Sequence, residues 1–151
     1  MNFKEKTVYQ IYRKSFQDSN GDGWGDLQGV ISRLDYLQKL GIDYIWFNAM
    51  FVSPQRDNGY DVEDYRAIDP RYGTMEDFTE LCREAKKRGI DIMLDMVFNH
   101  ASTRHVWFQK ALKGEEKYNC LLYTSLYANT RISADWSDTG SREYDYPAYG
   151  I

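Results

Sequence analysis

Two glycine–isoleucine junctions, Gly41–Ile42 and Gly89–Ile90, constrain this chain more than any other feature. Each joins a stretch of helical periodicity directly to a short apolar run. "DLQGVISRLDYLQKLG" sets Leu27, Val30, Ile31, Leu34, Leu37 and Leu40 at helical intervals and stops on Gly41. "TMEDFTELCREAKKRG" offers Thr74 as N-cap with Asp77 three residues on, acids in its first turn, bases in its last, and Gly89 after it. "IDYIWF" (Ile42–Phe47) and "IDIMLDMVF" (Ile90–Phe98) read as buried strands, and so does the earlier "TVYQIY" (Thr7–Tyr12). Strand–helix–strand–helix–strand, with strands apolar on both faces, predicts parallel strands joined by right-handed crossovers.

The return connections are almost nothing, whereas the segments leaving the strand C-terminal ends are long and polar. A (β/α)8 barrel has this asymmetry, with its active site on the long-loop face. A doubly wound sheet shares it, so periodicity alone leaves both open within the α/β class.

Composition narrows the function classes. Of 151 residues, 42% are hydrophobic, enough for a core, and the net charge of −4 with scattered basic residues argues against nucleic-acid binding. No apolar run approaches membrane-spanning length, and "MNFKEKTVYQ" lacks a secretory apolar segment. Cys82 and Cys120 have neither metal-ligand spacing nor a disulfide framework. The expectation is a cytoplasmic protein with no nucleic-acid, membrane or protein partner indicated.

After Asn119 the periodicity is lost. "CLLYTS" (Cys120–Ser125) can be encoded by TGT CTC TTA TAC ACA TCT, the reverse complement of a transposon end used in sequencing-library preparation. Residues 1–119 are therefore read as the native portion, and 120–151 as an irregular tail of non-native, adapter-derived sequence.

Three segments carry the chemistry. In "DSNGDGWGDL", Asp18, Asn20, Asp22 and Asp26 are oxygen donors that suit a hard cation, Ca2+ first and Mg2+ next. The spacing imitates half of an EF-hand, with the Trp24 carbonyl at position 7. Gly29 stands at position 12 where a bidentate Glu belongs, and a strand precedes the loop. A structural strand–loop–helix metal turn is the better reading, and an ion-free Asx/Gly turn is its alternative. In "SPQRDNGYDVEDY", Asp57, Asn58, Tyr60, Asp61 and Asp64 share one loop. Acids beside tyrosines suit sugars, because carboxylates accept hydroxyl hydrogen bonds and the ring stacks on the CH face; ordinary turn chemistry is the plainer alternative. In "LDMVFNH", Asp95 ends a strand expected to be buried, where an unpaired carboxylate is costly. Asn99 and His100 follow at the start of a site-face loop.

Together these segments resemble the α-amylase family of glycoside hydrolases, in its α-glucosidase and oligo-1,6-glucosidase branch. The resemblance rests on "VYQIYRKSFQDSNGDGWGDLQGV", "SPQRDNGYDVEDYRAIDPRYGTMEDF" and "DMVFNHASTRHVWF", in order from Thr7 to about Asn119. "NFKEKTVYQIY", "FVSPQ" and "MVFNHAST" look closest to the trehalose-6-phosphate hydrolases of that branch. The resemblance implies the N-terminal part, about three β/α units, of a (β/α)8 barrel. It implies that Asp18, Asn20, Asp22, Asp26 and the Trp24 carbonyl hold Ca2+ or Mg2+. It further implies that Asp57 binds the non-reducing glucose, that Tyr60 stacks beneath it, and that His100 binds its hydroxyls while Asp95 orders the catalytic groups.

The reaction implied is hydrolysis of an α-glucosidic bond with retention, which needs two carboxyls about 5–5.5 Å apart. The family's Asp nucleophile follows strand four and its Glu acid/base strand five, so no catalytic residue is expected within this chain. The implied substrate is a small α-glucoside: trehalose 6-phosphate first, an oligo-1,6-glucoside second. A non-catalytic carbohydrate- or calcium-binding module is the reading of another class. The chain also departs from the family pattern. Arg13 stands where Pro is usual, Trp24 where an aliphatic is common, Asn48-Ala49-Met50 where Leu-Thr/Ser-Pro is usual, and Ala101 where Thr is usual.

Overall fold

The computed structural model of the chain describes residues 3–119. The chain divides into two compact units, 1–109 and 110–151, and the first holds the sheet and every candidate site residue. The expectation for residues 120–151 lies outside the described residues. In chain order the elements are β1 (Val8–Ile11), α1 (Arg13–Phe16), α2 (Leu27–Ser32), α3 (Leu34–Lys39), β2 (Tyr44–Phe47), β3 (Phe51–Val52), β4 (Asp64–Ile68), α4 (Met75–Lys87), β5 (Asp91–Leu94), α5 (Val106–Leu112) and α6 (Glu116–Asn119).

The three expected strands form one parallel sheet in the order β1-β2-β5. Val8 pairs with Tyr44, and Tyr44 with Asp91, so the strands start level and end level. The near-zero return connections work as the sequence suggests. Gly41 and Gly89 adopt φ of 79° and 74°, the left-handed conformation that ends a helix with little steric cost. The Gly89 and Ile90 amides donate to the carbonyls of Lys86 and Ala85 at 3.1 and 3.0 Å, which turns the chain straight into β5. At the other end of α4, Thr74 and Asp77 complete the expected capping box.

One face of the sheet is covered by α2, α3 and α4. Leu27, Val30, Leu34, Leu37, Ile45, Phe47 and Leu81 are all but fully buried there. Burying each such side chain is worth about 1.5–3 kcal/mol, so this layer is what makes the three units one body. The other face is less covered than the sequence suggests. Tyr44 and Trp46 of β2 are half-buried, and so is every residue of β5.

Four details differ from the sequence reading. The single helix expected up to Leu40 breaks at Arg33 (φ −105°, ψ 1°), where the Ser32 hydroxyl donates to the Gly29 carbonyl at 2.6 Å. Leu40 is consequently exposed. The strand expected to reach Phe98 ends at Leu94, because the Asp95 amide makes the last bond to β2, to the Phe47 carbonyl at 2.9 Å. Val97 instead joins Ala49, Phe51 and Val62 in a small second core. The 48–72 segment contains an antiparallel pair, β3 with β4, where a plain loop is expected. A short helix, α1, also follows β1 directly.

His105, just before α5, is buried, and its Nδ1 accepts the Trp107 amide at 3.1 Å. Burial holds its pKa below the ordinary 6.5, against a weaker upward pull from Asp64. Its Tyr65 and Trp107 neighbours are rings, at 5.5 and 4.7 Å between centroids. A depressed histidine contributes stability above its unfolded pKa, and that stability is lost as pH falls below it. Urea denaturation between pH 8 and pH 5 should therefore show stability falling below about pH 6.5, and His105→Asn should flatten that limb.

Candidate active-site face

Two polar loops leave the C-terminal ends of β1 and β2, and a third segment leaves β5. The first, between α1 and α2, is built by aspartates that accept main-chain amides. Asp18 accepts from the amides of Asn20, Gly21 and Gly23 at 3.0, 2.7 and 2.8 Å. Asn20 accepts from the Asp22 amide and Asp22 from the Trp24 amide, so the 18–24 stretch is a run of Asx turns. The Gly23 and Gly21 amides hold the Asp18 carboxyl below the usual carboxylate range. Asp26 is the N-cap of α2: one oxygen accepts the Gly29 amide at 2.6 Å and the other the amide and hydroxyl of Ser19. Gly29 leaves no room for the EF-hand glutamate, since a Cβ there would stand 2.1 Å from the Gln17 carbonyl oxygen.

The donors suit a hard cation in kind, being all oxygen. Asp18, Asn20 and Asp22 sit on one tight turn, and each retains lone pairs beyond those used by the amides. Asp26 likewise accepts three protein donors, the Gly29 and Ser19 amides and the Ser19 hydroxyl. Among the described residues no three Asp, Glu, His or Cys side chains converge as a metal-ligating group.

The second loop is organised by Asp61, whose carboxylate accepts the Ser53 hydroxyl at 2.6 Å and the amides of Asp57 and Arg56 at 3.2 and 3.0 Å. Burial pushes this carboxyl up, but those donors outweigh it and hold its pKa below the ordinary value. Asp57 is exposed, and its carbonyl accepts the Tyr60 amide at 2.8 Å. Deeper in, Asp69 accepts both Arg71 Nε and Nη2, at 2.8 and 2.6 Å, and Arg71 Nη2 also donates to the Ser53 carbonyl at 2.6 Å, which ties the 69–71 turn to the start of this loop.

Tyr60 and Asp95 meet across the sheet end. Tyr60 Oη donates to Asp95 Oδ2 at 2.7 Å, while Trp46 Nε1 donates to Asp95 Oδ1 at 3.1 Å. Asn48 Nδ2 donates to Tyr60 Oη at 2.9 Å. Burial raises the Tyr60 pKa; the Asn48 bond works against that rise and the Asp95 carboxylate with it, so at neutral pH the hydroxyl keeps its proton. His100 Nε2 lies 3.1 Å from the Tyr60 carbonyl, which only accepts, so Nε2 carries a proton in this contact. Tyr65 Oη anchors the same segment through the carbonyls of Val97 and His100, at 2.6 and 2.9 Å.

The structure thus joins Tyr60, Asp95 and His100 in one hydrogen-bonded group, with Asp57 attached through the loop backbone. Asp95 is half-exposed where the sequence suggests burial, because β5 ends one residue earlier and the carboxylate faces the loop side. Trp46 and Asn48 are further members that sequence reasoning did not single out. Their signal is the two-residue period of β2, which puts Tyr44, Trp46 and Asn48 on one face. The unusual Asn48-Ala49-Met50 does not loosen the loop: Ala49 and Met50 are buried and Asn48 binds Tyr60.

Parallel strands with short returns, and polar groups gathered where the strands end, define a barrel-type enzyme face. The chain belongs to the α-amylase family: the family described as "Alpha amylase, catalytic domain" matches residues 10–137, past residue 119. The described units are accordingly the N-terminal part of a (β/α)8 barrel. A trehalose-6-phosphate hydrolase of Escherichia coli (strain K12) is 64% identical over 111 residues, 74% of this chain and 20% of that protein. An oligo-1,6-glucosidase of Bacillus sp. (strain F5) is 54% identical over 114 residues, 76% of this chain and 22% of that protein. Among solved structures, Bacillus licheniformis trehalose-6-phosphate hydrolase superposes with a TM-score of 0.74 at 53% identity, covering 76% of this chain and 20% of that one. The chain spans about a fifth of the length of these relatives.

Tyr60→Phe keeps the ring but leaves Asp95 Oδ2 and Asn48 Nδ2 without their shared partner. The variant should lose about 1 kcal/mol of stability in urea denaturation, with Trp46 emission reporting the altered contact.

Proposed function

We propose that this chain forms the substrate-binding loops of a retaining α-glucosidase that hydrolyses trehalose 6-phosphate to glucose and glucose 6-phosphate. The Tyr60–Asp95 hydrogen bond at the ends of β2 and β5 carries the reading, because it joins two separately recognised motifs into one polar floor. In this reading Asp57 accepts hydroxyl hydrogen bonds of a terminal glucose, Tyr60 packs against its CH face, His100 contacts its hydroxyls, and Asp95 orders Tyr60 and Trp46. Identity to the Escherichia coli trehalose-6-phosphate hydrolase supports the phosphorylated disaccharide. An oligo-1,6-glucoside is the second substrate, supported by the Bacillus oligo-1,6-glucosidase. Among the described residues no helix is long and apolar enough to cross a membrane.

The nucleophile and acid/base of the reaction belong, in this proposal, to β/α units that the 151 residues do not include. The 151-residue chain should then show no turnover of 4-nitrophenyl α-glucoside above buffer, whereas nucleophile-dependent turnover would refute the assignment.

The first loop takes Ca2+ in preference to Mg2+, held by Asp18, Asn20, Asp22, Asp26 and the Trp24 carbonyl, with Asp26 also fixing the loop to α2. The ion would supply charge and rigidity at the first β/α turn. Calorimetric titration should give one Ca2+ per chain and a melting temperature that rises with Ca2+. Asp18→Asn should weaken binding by about tenfold or more; no heat of binding and no shift in melting would remove the metal from the proposal.

A further inference from the structure

Arg13 is among the largest fully buried side chains of the described residues, and it is paired in an unusual way. Its guanidinium carbon lies 4.1 Å from the centroid of the Tyr72 ring. Nη2 donates to Tyr72 Oη at 3.0 Å and reaches the Asn58 carbonyl at 3.4 Å. Nε and Nη1 are buried without a hydrogen-bond partner, so no carboxylate forks onto this cation. The neighbouring Lys14 Nζ donates to Asn58 Oδ1 at 3.2 Å. Two successive cations from the end of β1 thus grip one residue of the loop that follows β2.

That residue sits in the most strained part of the loop. Gln55 and Asn58 have φ of 61° and 50°, and Gly59 has φ of 99°. Left-handed backbone at non-glycine residues persists only where tertiary contacts over-determine it. Asp61 supplies those contacts on one side, through the Asp57 and Arg56 amides. Arg13 supplies them on the other. The fit is one glycine thick: a Cβ on Gly59 would stand 2.4 Å from Arg13 Nη2 and 3.0 Å from the Ala49 carbonyl. The gripped pair, Asn58 and Gly59, lies between Asp57 and Tyr60, whose own turn is closed by the Tyr60 amide on the Asp57 carbonyl.

We propose that Arg13 is a positioning residue for the substrate loop: its guanidinium sets the Asn58–Gly59 backbone and thereby places Asp57 and Tyr60 for a sugar. The role in sugar placement rests on the reading of Asp57 and Tyr60 given above; the grip on the loop does not. Arg13 is also the first residue of α1, a helix position that proline suits. Proline at this position would carry no guanidinium, so the Nη2 half of the grip depends on Arg13 itself, with Lys14 holding Asn58 Oδ1 beside it.

Hydrogen exchange read by mass spectrometry on the 151-residue chain tests both parts. In Arg13→Met, peptides covering 55–61 should exchange about tenfold faster, while those covering β2 and β5 change less than about twofold. Arg13→Lys keeps a donor-bearing cation and should bring 55–61 back to within about threefold of the parent. Methyl α-D-glucoside should protect 57–60 and 95–100 in the parent and in Arg13→Lys, and need about tenfold more sugar to do so in Arg13→Met. Arg13→Gln, which keeps a side-chain donor but not the guanidinium, should open the same 55–61 peptides and decides the matter if Arg13→Met does not fold. A uniform rise across the sheet, no rise at 55–61, or an Arg13→Lys chain as open as Arg13→Met would overturn the positioning role. A local rise without sugar protection in the parent would instead strike down the sugar reading and leave the grip on the loop standing.

Discussion

Everything on the site face depends on the parallel pairing of β2 with a strand on each side. Because β1, β2 and β5 begin level, they also run out level, and the bond from the Asp95 amide to the Phe47 carbonyl is where the sheet stops. Past that bond the backbone must find other partners, and it does so through side chains. Trp46, Tyr60 and Asp95 meet at that rim because pairing brings residues far apart in the chain to the same height. The apolar layer beneath, from Leu27 to Leu81, holds the strands in place and leaves the rim free for polar chemistry.

The aspartates of this chain divide into those spent on folding and those available to a ligand. Asp61 ties three donors within its loop, and Asp69 is nearly buried against Arg71. Burial pushes the Asp69 carboxyl up, but the Arg71 guanidinium and nearby amides outweigh it and hold its pKa below the ordinary range. These carboxylates fix loop shape, since a buried acceptor that loses its donors costs about 1–3 kcal/mol. Asp57, exposed at the loop tip, has no such duty for its side chain to perform in the fold. Asp95 lies between the two kinds, its oxygens engaged by Trp46 and Tyr60 while it stays half-exposed.

The places where the chain leaves its family's pattern are absorbed by local chemistry. Asn48 finds the Tyr60 hydroxyl, and Ala49 and Met50 fill core positions. Trp24 lies over Tyr72 at 6.2 Å between centroids, with the Lys14 ammonium 4.8 Å from its ring. Arg13 settles against the same Tyr72, its guanidinium carbon 4.1 Å from the ring centroid. Three unusual residues are thus accommodated by tyrosine hydroxyls and rings, which accept both cations and apolar neighbours.

The limits of α4, its Thr74 capping box, the two glycine stops and the three parallel strands were legible in the sequence. Each follows from contacts within a few residues or from a period that local sequence displays directly. The acidic loop and the Asp57, Tyr60, Asp95 and His100 motifs were legible as residue types and as family resemblance. Their arrangement was not: Tyr60 meets Asp95 across 35 residues, and Trp46 meets it across 49. The β3–β4 pair, the early end of β5 and the half-exposure of Asp95 likewise depend on which neighbours the sheet supplies. By itself the sequence determined the three parallel strands, the long helix α4 and which loops carry polar groups, because those choices are settled by short-range sterics and hydrogen bonds. Only the tertiary structure decided that Arg13 lies against the 55–61 loop and that Trp46 and Asn48 join Asp95 and Tyr60. Those outcomes depend on distances between residues that meet only when the sheet has closed.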